Sequence, residues 1–327
     1  MNLIDPYKCC LLCPRKCRVD RTSHSVDRVR GGCGEADRLR VAYVGPHFGE
    51  EPPISGVNGS GTVFFSGCSL RCVYCQNHQI SRGGVGTEVG LDELAEKVME
   101  MVCRDQVHNI NFVTPDHFFP HVFELVSILR RAGAALPMVY NLSGYQSVKA
   151  LASAEPYADI YLPDFKYSDP SLAAALSRCR DYPAVALDAI ALMVRQKGFL
   201  DAVLSPKNRP AKKGVLVRHL ILPGKVDNSI QALTSLFVEF GPDLPLSLMS
   251  QYHPVLTQRD PDLNRRVASE EFEAVLSHAR TLGFEHLFVQ FPEQPGQYGG
   301  ASLFVPDFEK PSPFAGKTPR YAFPNTV

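Results

Sequence analysis

The sequence predicts an α/β protein, an open or partial (β/α) barrel of six units behind a small cysteine-rich metal-binding unit. Three observations carry that expectation. From residue 62 onward short β-like runs alternate with helical patterns, and such alternation calls for a parallel sheet. Eight of the ten cysteines lie before residue 76, so the thiols are a local feature of the N-terminal quarter. The 327 residues are 45% apolar and 21% charged, ordinary values for a globular chain that buries a sizeable core.

Residues 1–60 read as the cysteine-rich unit and its connector. Cys10, Cys13, Cys17 and Cys33 form C-x2-C-x3-C-x15-C, with Cys9 as a spare thiol. Four sulfurs can close a tetrahedral zinc site or hold an iron–sulfur cluster. Gly31, Gly32 and Gly34 allow the tight backbone that aims amides at sulfur. Large apolar residues are few here, so a bound metal would supply what a core cannot. Residues 41–60 read as extended segments and turns, punctuated by proline and glycine.

Residues 61–300 form the core. Strands are predicted at 62–66, 109–114, 138–141, 159–164, 215–222 and 246–250, with a short final strand at 287–290. Helices are predicted at 91–103, 121–132, 147–154, 171–176, 184–197, 228–240 and 269–282. In the first helix Leu91, Leu94, Ala95, Val98 and Val102 recur at three- and four-residue steps. Residues 198–213 read as a solvated loop with a basic end. The tail from residue 301 is rich in proline and is either disordered or draped over the core.

Lys plus Arg equals Asp plus Glu, so no overall charge points to nucleic acid. The longest apolar stretch, near 184–194, is broken by Asp188 and is too short for a bilayer. No basic-then-apolar leader opens the chain. A cytoplasmic protein with metal-binding thiols is the expectation.

The densest chemistry lies in Ser66-Gly-Cys-Ser-Leu-Arg-Cys-Val-Tyr-Cys-Gln-Asn-His78. Cys68, Cys72 and Cys75 form C-x3-C-x2-C directly after an apolar run. Three thiolates hold three corners of a cubane cluster and leave one iron for another ligand. A zinc loop or unrelated thiols are the alternatives. The array, with Tyr74 before its third cysteine, resembles the signature of the radical S-adenosylmethionine (radical SAM) superfamily. That resemblance implies a 4Fe-4S cluster whose open iron chelates S-adenosylmethionine (SAM). It also implies reductive cleavage of SAM to a 5'-deoxyadenosyl radical, and a partial (β/α)6 barrel as the core. A reductant such as flavodoxin or ferredoxin would be a partner.

In such barrels the chemistry sits on the loops at the C-terminal ends of the strands. Those loops carry Asn77, Val113 and Thr114, Asn141 and Ser143, Asp164 and Lys166, Arg218, and Gln251 with Tyr252. The Asp164-x-Lys166 pair and Arg218 ahead of Pro223-Gly224 resemble elements of the activating enzymes of glycyl radical enzymes. The resemblance is closer to uncharacterised proteins similar to the pyruvate formate-lyase activating enzyme. They share Cys10-Leu-Leu-Cys-Pro-Arg-Lys-Cys17, Tyr140-Asn141-x-Ser-Gly-Tyr145 and Tyr161-Leu-Pro-Asp-x-Lys-Tyr167. This implies SAM contacts at Tyr74, Asn77, Val113, Thr114, Asn141, Ser143, Asp164, Lys166 and Arg218. It also implies hydrogen abstraction from a substrate, either a glycine of a partner protein or another peptide, nucleic acid or small molecule. One departure matters: activases carry a Gly-Gly-Glu element after the second strand, and this chain has Val113-Thr-Pro115 there. A non-catalytic iron–sulfur electron carrier is the reading of another class.

Several residues admit two readings. Asp116, His117 and His121 are a metal set at helical spacing, or His117 is a polar contact at the rim. Asp164 and Lys166 share one face of a strand and form a salt bridge or meet SAM. Tyr145 is framework, a stacking partner or a radical relay.

Overall fold

The computed structural model describes residues 3–22, 31–204, 209–292 and 305–314. After α1 (Asp5–Lys8) come β1 (Arg40–His47), α2 (Pro52–Ser55) and β2 (Ser60–Phe65). Next are α3 (His78–Ser81), β3 (Thr87–Glu88), α4 (Leu91–Asp105) and β4 (Ile110–Val113). The alternation continues through α5 (Phe119–Arg131), β5 (Met138–Leu142), α6 (Val148–Ala154) and β6 (Ile160–Pro163). Helices α7 (Pro170–Ser177) and α8 (Tyr182–Lys197) precede β7 (Gly214–Val215) and β8 (Val217–Leu220). Last come α9 (Val226–Phe240), β9 (Leu246–Met249), α10 (Ser269–Leu282) and β10 (Leu287–Gln290).

Seven strands pair in the order β3-β1-β2-β4-β5-β6-β7, and three more in the order β10-β9-β8. Strand β1 pairs antiparallel with β2 and β3, and every other named pair is parallel. The two sheets join where Asp164 bridges to Arg218 just past β6. This is the partial barrel the alternation predicts. Strands β2, β4, β5 and β6 are buried on both faces, which is why they are mostly apolar; the polar Asn111 and Asn141 among them turn to Glu50. Helix α4 lays Leu94, Ala95, Val98 and Met101 on the sheet, at roughly 1.5–3 kcal/mol for each fully buried large apolar side chain. Ser147 caps α6 by accepting from the Ala150 amide, and Asp169 caps α7 by accepting from Ser171.

One reading is corrected and one made specific. The extended part of 41–60 is β1, which runs antiparallel to β2 over most of its length. Gly45 and Pro46 lie within β1. Beyond Val41 β1 is an edge, and there a proline without an N–H is tolerated. The predicted strand 215–222 is split at Leu216, where pairing passes from β6 to β9. Of the tail, residues 305–314 are draped over the barrel mouth, with Phe308 and Phe314 packed on Phe64. Residues 315–327 and 205–208 lie outside the described residues. Among the described residues, no helix is long and apolar enough to cross a membrane.

Candidate active site

The C-terminal ends of the parallel strands surround a cavity of about 450 Å³. Cys68, Cys72 and Cys75 line it, on the loop that leaves β2. Arg71 within that loop takes a left-handed backbone (φ 54°) and turns the chain so that the cysteines face inward. Donors already point at two sulfurs. The Leu70 amide lies 3.4 Å from Cys68 Sγ, and the Ser177 hydroxyl 3.0 Å from Cys72 Sγ. The Ser177 and Tyr167 hydroxyls lie 2.7 Å apart, and the Tyr167 and Tyr74 hydroxyls 2.9 Å apart, in one hydroxyl chain. Burial pushes the Cys68 and Cys75 thiols up. A metal cation would release their protons.

The opposite wall is polar. Arg218, on β8, donates through Nε to Asp164 (3.1 Å), through Nη1 to Glu50 (3.0 Å) and through Nη2 to Asn141 (2.6 Å). Asn111 and Asn141 donate to the other oxygen of Glu50, at 3.1 and 3.2 Å. Lys166 donates to Asp164 at 2.5 Å. Burial raises Asp164, but Lys166 and Arg218 outweigh it and hold the carboxyl below its ordinary value. Burial raises Glu50 and Glu51 as well, and there Arg218 only partly offsets it. Thr114, after β4, sits at φ 55° and donates its amide to the Asn141 carbonyl (3.0 Å). A β-branched residue in that region is strained, and such strain gathers at functional sites.

Tyr74, Asn77, Val113, Thr114, Asn141, Ser143, Asp164, Lys166 and Arg218 all line this cavity with the three cysteines. The Asp164–Lys166 pair is both a salt bridge and part of the wall. Other candidates lie elsewhere. His117 Nε2 lies 2.7 Å from the Ser66 carbonyl, behind the cysteine loop, and His121 Nδ1 meets the Tyr7 hydroxyl at 2.7 Å. Burial lowers His117 to about 3, so the ring is neutral and donates to that carbonyl. Tyr145 donates to Asp181 (2.9 Å). Glu50 and Glu51 are site residues that sequence reasoning missed. They sit in the connector ahead of Pro52-Pro53, which the antiparallel β1 carries to the N-terminal ends of the strands, and Glu50 reaches from there inside the barrel to Asn111, Asn141 and Arg218.

The class defined by this fold and cavity is a parallel partial barrel whose rim carries three inward thiols opposite a buried Arg–Asp–Lys–Glu group. Residues 62–235, more than half of the chain, match the radical SAM superfamily, and the chain belongs to it. A protein of Methanocaldococcus jannaschii named "Uncharacterized protein MJ0674" is 26% identical over 291 residues, 86% of this chain and 77% of that one. The crystal structure of HydG, a maturase of the FeFe hydrogenase, aligns with 73% of this chain at 12% identity and a TM-score of 0.48. This chain covers 53% of HydG's length. Methylornithine synthase (PylB) aligns with 71% of this chain and 73% of its own, at 14% identity and a TM-score of 0.43.

The protein is therefore a radical SAM enzyme, and its cofactors are a 4Fe-4S cluster and SAM. The residues present fit that pair. No three of the rim sulfurs lie within 4.8 Å of one another. Tetrahedral zinc at Zn–S near 2.3 Å needs sulfurs about 3.8 Å apart. A cubane spreads its thiolates over different irons. The polar wall offers a cation and carboxylates to an amino acid headgroup, and the space has the size of a small-ligand pocket.

Proposed function

We propose that Cys68, Cys72 and Cys75 hold the 4Fe-4S cluster and that SAM lies between them and the polar wall. In this reading the enzyme is activase-like and abstracts hydrogen from a glycine of a partner protein. The single observation that carries the site is the meeting of three sulfurs and the Asp164–Lys166–Arg218 group in one rim cavity. When bound, the cluster and SAM supply one-electron cleavage to methionine and a 5'-deoxyadenosyl radical. The chain's own part is to bind, orient and exclude water. Arg218 is fixed by three acceptors, so its guanidinium edge is preorganised and not free to swing. Asp164, kept ionised, and Lys166 offer both charges to the amino and carboxylate groups of SAM. Asn77, Val113, Thr114, Asn141 and Ser143 surround the remainder, and Tyr74 backs the cluster loop. The Pro306–Phe314 segment walls off solvent on one side.

A flavodoxin or ferredoxin is the fitting reductant, and a reducing cytoplasm suits exposed and buried free thiols alike. A glycine target is favoured by the Asp-x-Lys and Arg-to-Pro-Gly resemblance. The Val113-Thr-Pro115 departure keeps another peptide, a nucleic acid or a small molecule as the second reading. The test is anaerobic reconstitution with iron and sulfide, then addition of SAM and dithionite. 5'-Deoxyadenosine should form, and Cys72→Ala should lower it at least a hundredfold. An intact cluster without product would instead make the chain an electron carrier. A glycyl radical signal on a co-purified protein would establish the target. Its absence, with deoxyadenosine still formed, would remove the activase reading.

A further inference from the structure

The cysteine-rich unit is not absorbed by the site above, yet it is built onto the back of it. Cys10, Cys13 and Cys33 are buried and Cys17 is half-buried, whereas Cys9 is exposed. This sets the register at Cys10. The Gly31 backbone leaves a gap between two of the sulfurs, where a Cβ would lie 3.5 Å from both Cys17 Sγ and Cys33 Sγ. Arg21 is 1% exposed, and its acceptors are the carbonyls of Glu35, Ala36 and His117 and, at 3.7 Å, Cys10 Sγ. Among the described residues no carboxylate pairs with this guanidinium. Asp116 feels this charge without pairing with it, whereas Cys10 and Cys33 lie beside it, so metal-bound thiolates would supply a near countercharge.

Two observations select the metal. Among the described residues the one set of three or more ligating side chains within 4.8 Å of one another is the exposed Asp243, Glu285 and His286. No three of these four sulfurs are that close, so they are spread too widely for zinc, which needs about 3.8 Å. Their loop also copies the rim loop. Each has a C-x3-C segment, and in each the basic residue before the last cysteine is left-handed: Lys16 at φ 43° and Arg71 at φ 54°. The two loops then interlock. The Cys68 amide donates to the Cys33 carbonyl (3.2 Å). Arg15, inside the N-terminal loop, donates to the carbonyls of Ser69, Leu70 (3.2 Å) and Ser177 (2.9 Å).

We propose that Cys10, Cys13, Cys17 and Cys33 hold a second 4Fe-4S cluster, which passes single electrons to the rim centre across the Cys33–Cys68 hydrogen bond. One electron enters from a low-potential one-electron donor, a flavodoxin- or ferredoxin-class protein or dithionite. The N-terminal centre is reduced by one electron and reoxidised as the rim centre is reduced; no bond is made or broken and no proton moves. The transfer rests on the rim cluster proposed above, whereas the metal site does not.

The full chain, reconstituted anaerobically, should carry about eight irons and eight sulfides. A Cys68/Cys72/Cys75→Ala variant should keep about four of each, with a dithionite-induced paramagnetic signal that ignores SAM. A Cys13/Cys17→Ser variant, checked for folding by circular dichroism, should keep about four with a signal that SAM perturbs. In the fully reduced wild type the two signals should broaden each other, so that its spectrum is not the sum of the variants' spectra. Zinc or no metal in the Cys68/Cys72/Cys75→Ala variant would overturn the second cluster, even if the Cys13/Cys17→Ser variant fails to fold. A purely additive wild-type spectrum would overturn the transfer. Four irons in wild type that survive the triple substitution would sink the rim reading and leave the N-terminal site standing.

Discussion

Arg218 shows what a single side chain does here. It joins β5, the end of β6 and the Glu50 connector at once, through Asn141, Asp164 and Glu50. A guanidinium can serve three acceptors in a fixed fork, and an ammonium cannot. Arg218→Lys keeps the charge but leaves Glu50 or Asn141 short of a donor in a buried place. We expect a loss of roughly 2 kcal/mol in denaturant titration. We also expect a severalfold weaker SAM affinity in equilibrium dialysis. A variant as stable as wild type would show that the fork is not needed. The Arg itself is visible in the sequence, because a basic residue near the end of an apolar strand has few reasons to be there. Its partner Glu50 is not, because an acidic pair before two prolines looks like any surface turn.

At the scale of elements, the loops after the strands are shaped by a few backbone positions. Gly144, after β5, sits at φ +82°, and an added Cβ would fall on the Asp164 carbonyl and 2.7 Å from the Tyr182 hydroxyl. That hydroxyl accepts from the Lys166 amide (2.9 Å) and donates to the carbonyls of Ser143 and Asp164. Gly144→Ala therefore strains its own backbone and pushes apart two loops of the cavity wall. We expect a stability loss of roughly 2–4 kcal/mol and loss of deoxyadenosine formation even where iron content is normal. Unchanged turnover would mean that the wall tolerates the shift. The need for a glycine here can be suspected from Ser143-Gly-Tyr145. What it avoids is a carbonyl twenty residues on, which only the β5–β6 pairing places there.

Over the whole molecule, burial sets the response to acid. His47, His117 and His219 come from different elements, and burial is the largest cause lowering each of them. For His219 the folded value is about 4 against an ordinary 6.5. Above pH 6.5 the ring is neutral in both the folded and unfolded chain, and its contribution is complete. As the pH falls toward 4 the unfolded chain takes up the proton first, and stability is lost. His219 donates from Nδ1 to the Phe165 carbonyl and accepts at Nε2 from Ser229. His219→Gln can keep a donor and an acceptor but not the titration. Between pH 7.5 and 5.5 the wild type should lose about 1 kcal/mol more than the variant in denaturant titration. Parallel curves would show that His219 does not govern this window.

The sequence by itself determined the kind of protein. Periodicity is a local property, so the alternation of strand and helix could be read directly, down to the short last strand. Ligand spacing is also local, so the two cysteine sets and the rim residues could be named from the chain alone. The tertiary structure decided what distance along the chain conceals. It laid β1 antiparallel beside β2, carried Glu50 into the barrel from the N-terminal ends of the strands, and turned His117 away from the cavity. It also laid the Cys33 carbonyl on the Cys68 amide. The physical reason is common to all four. Each depends on which backbone lies beside which, and hydrogen-bond pairing between remote segments leaves no mark on the periodicity of either.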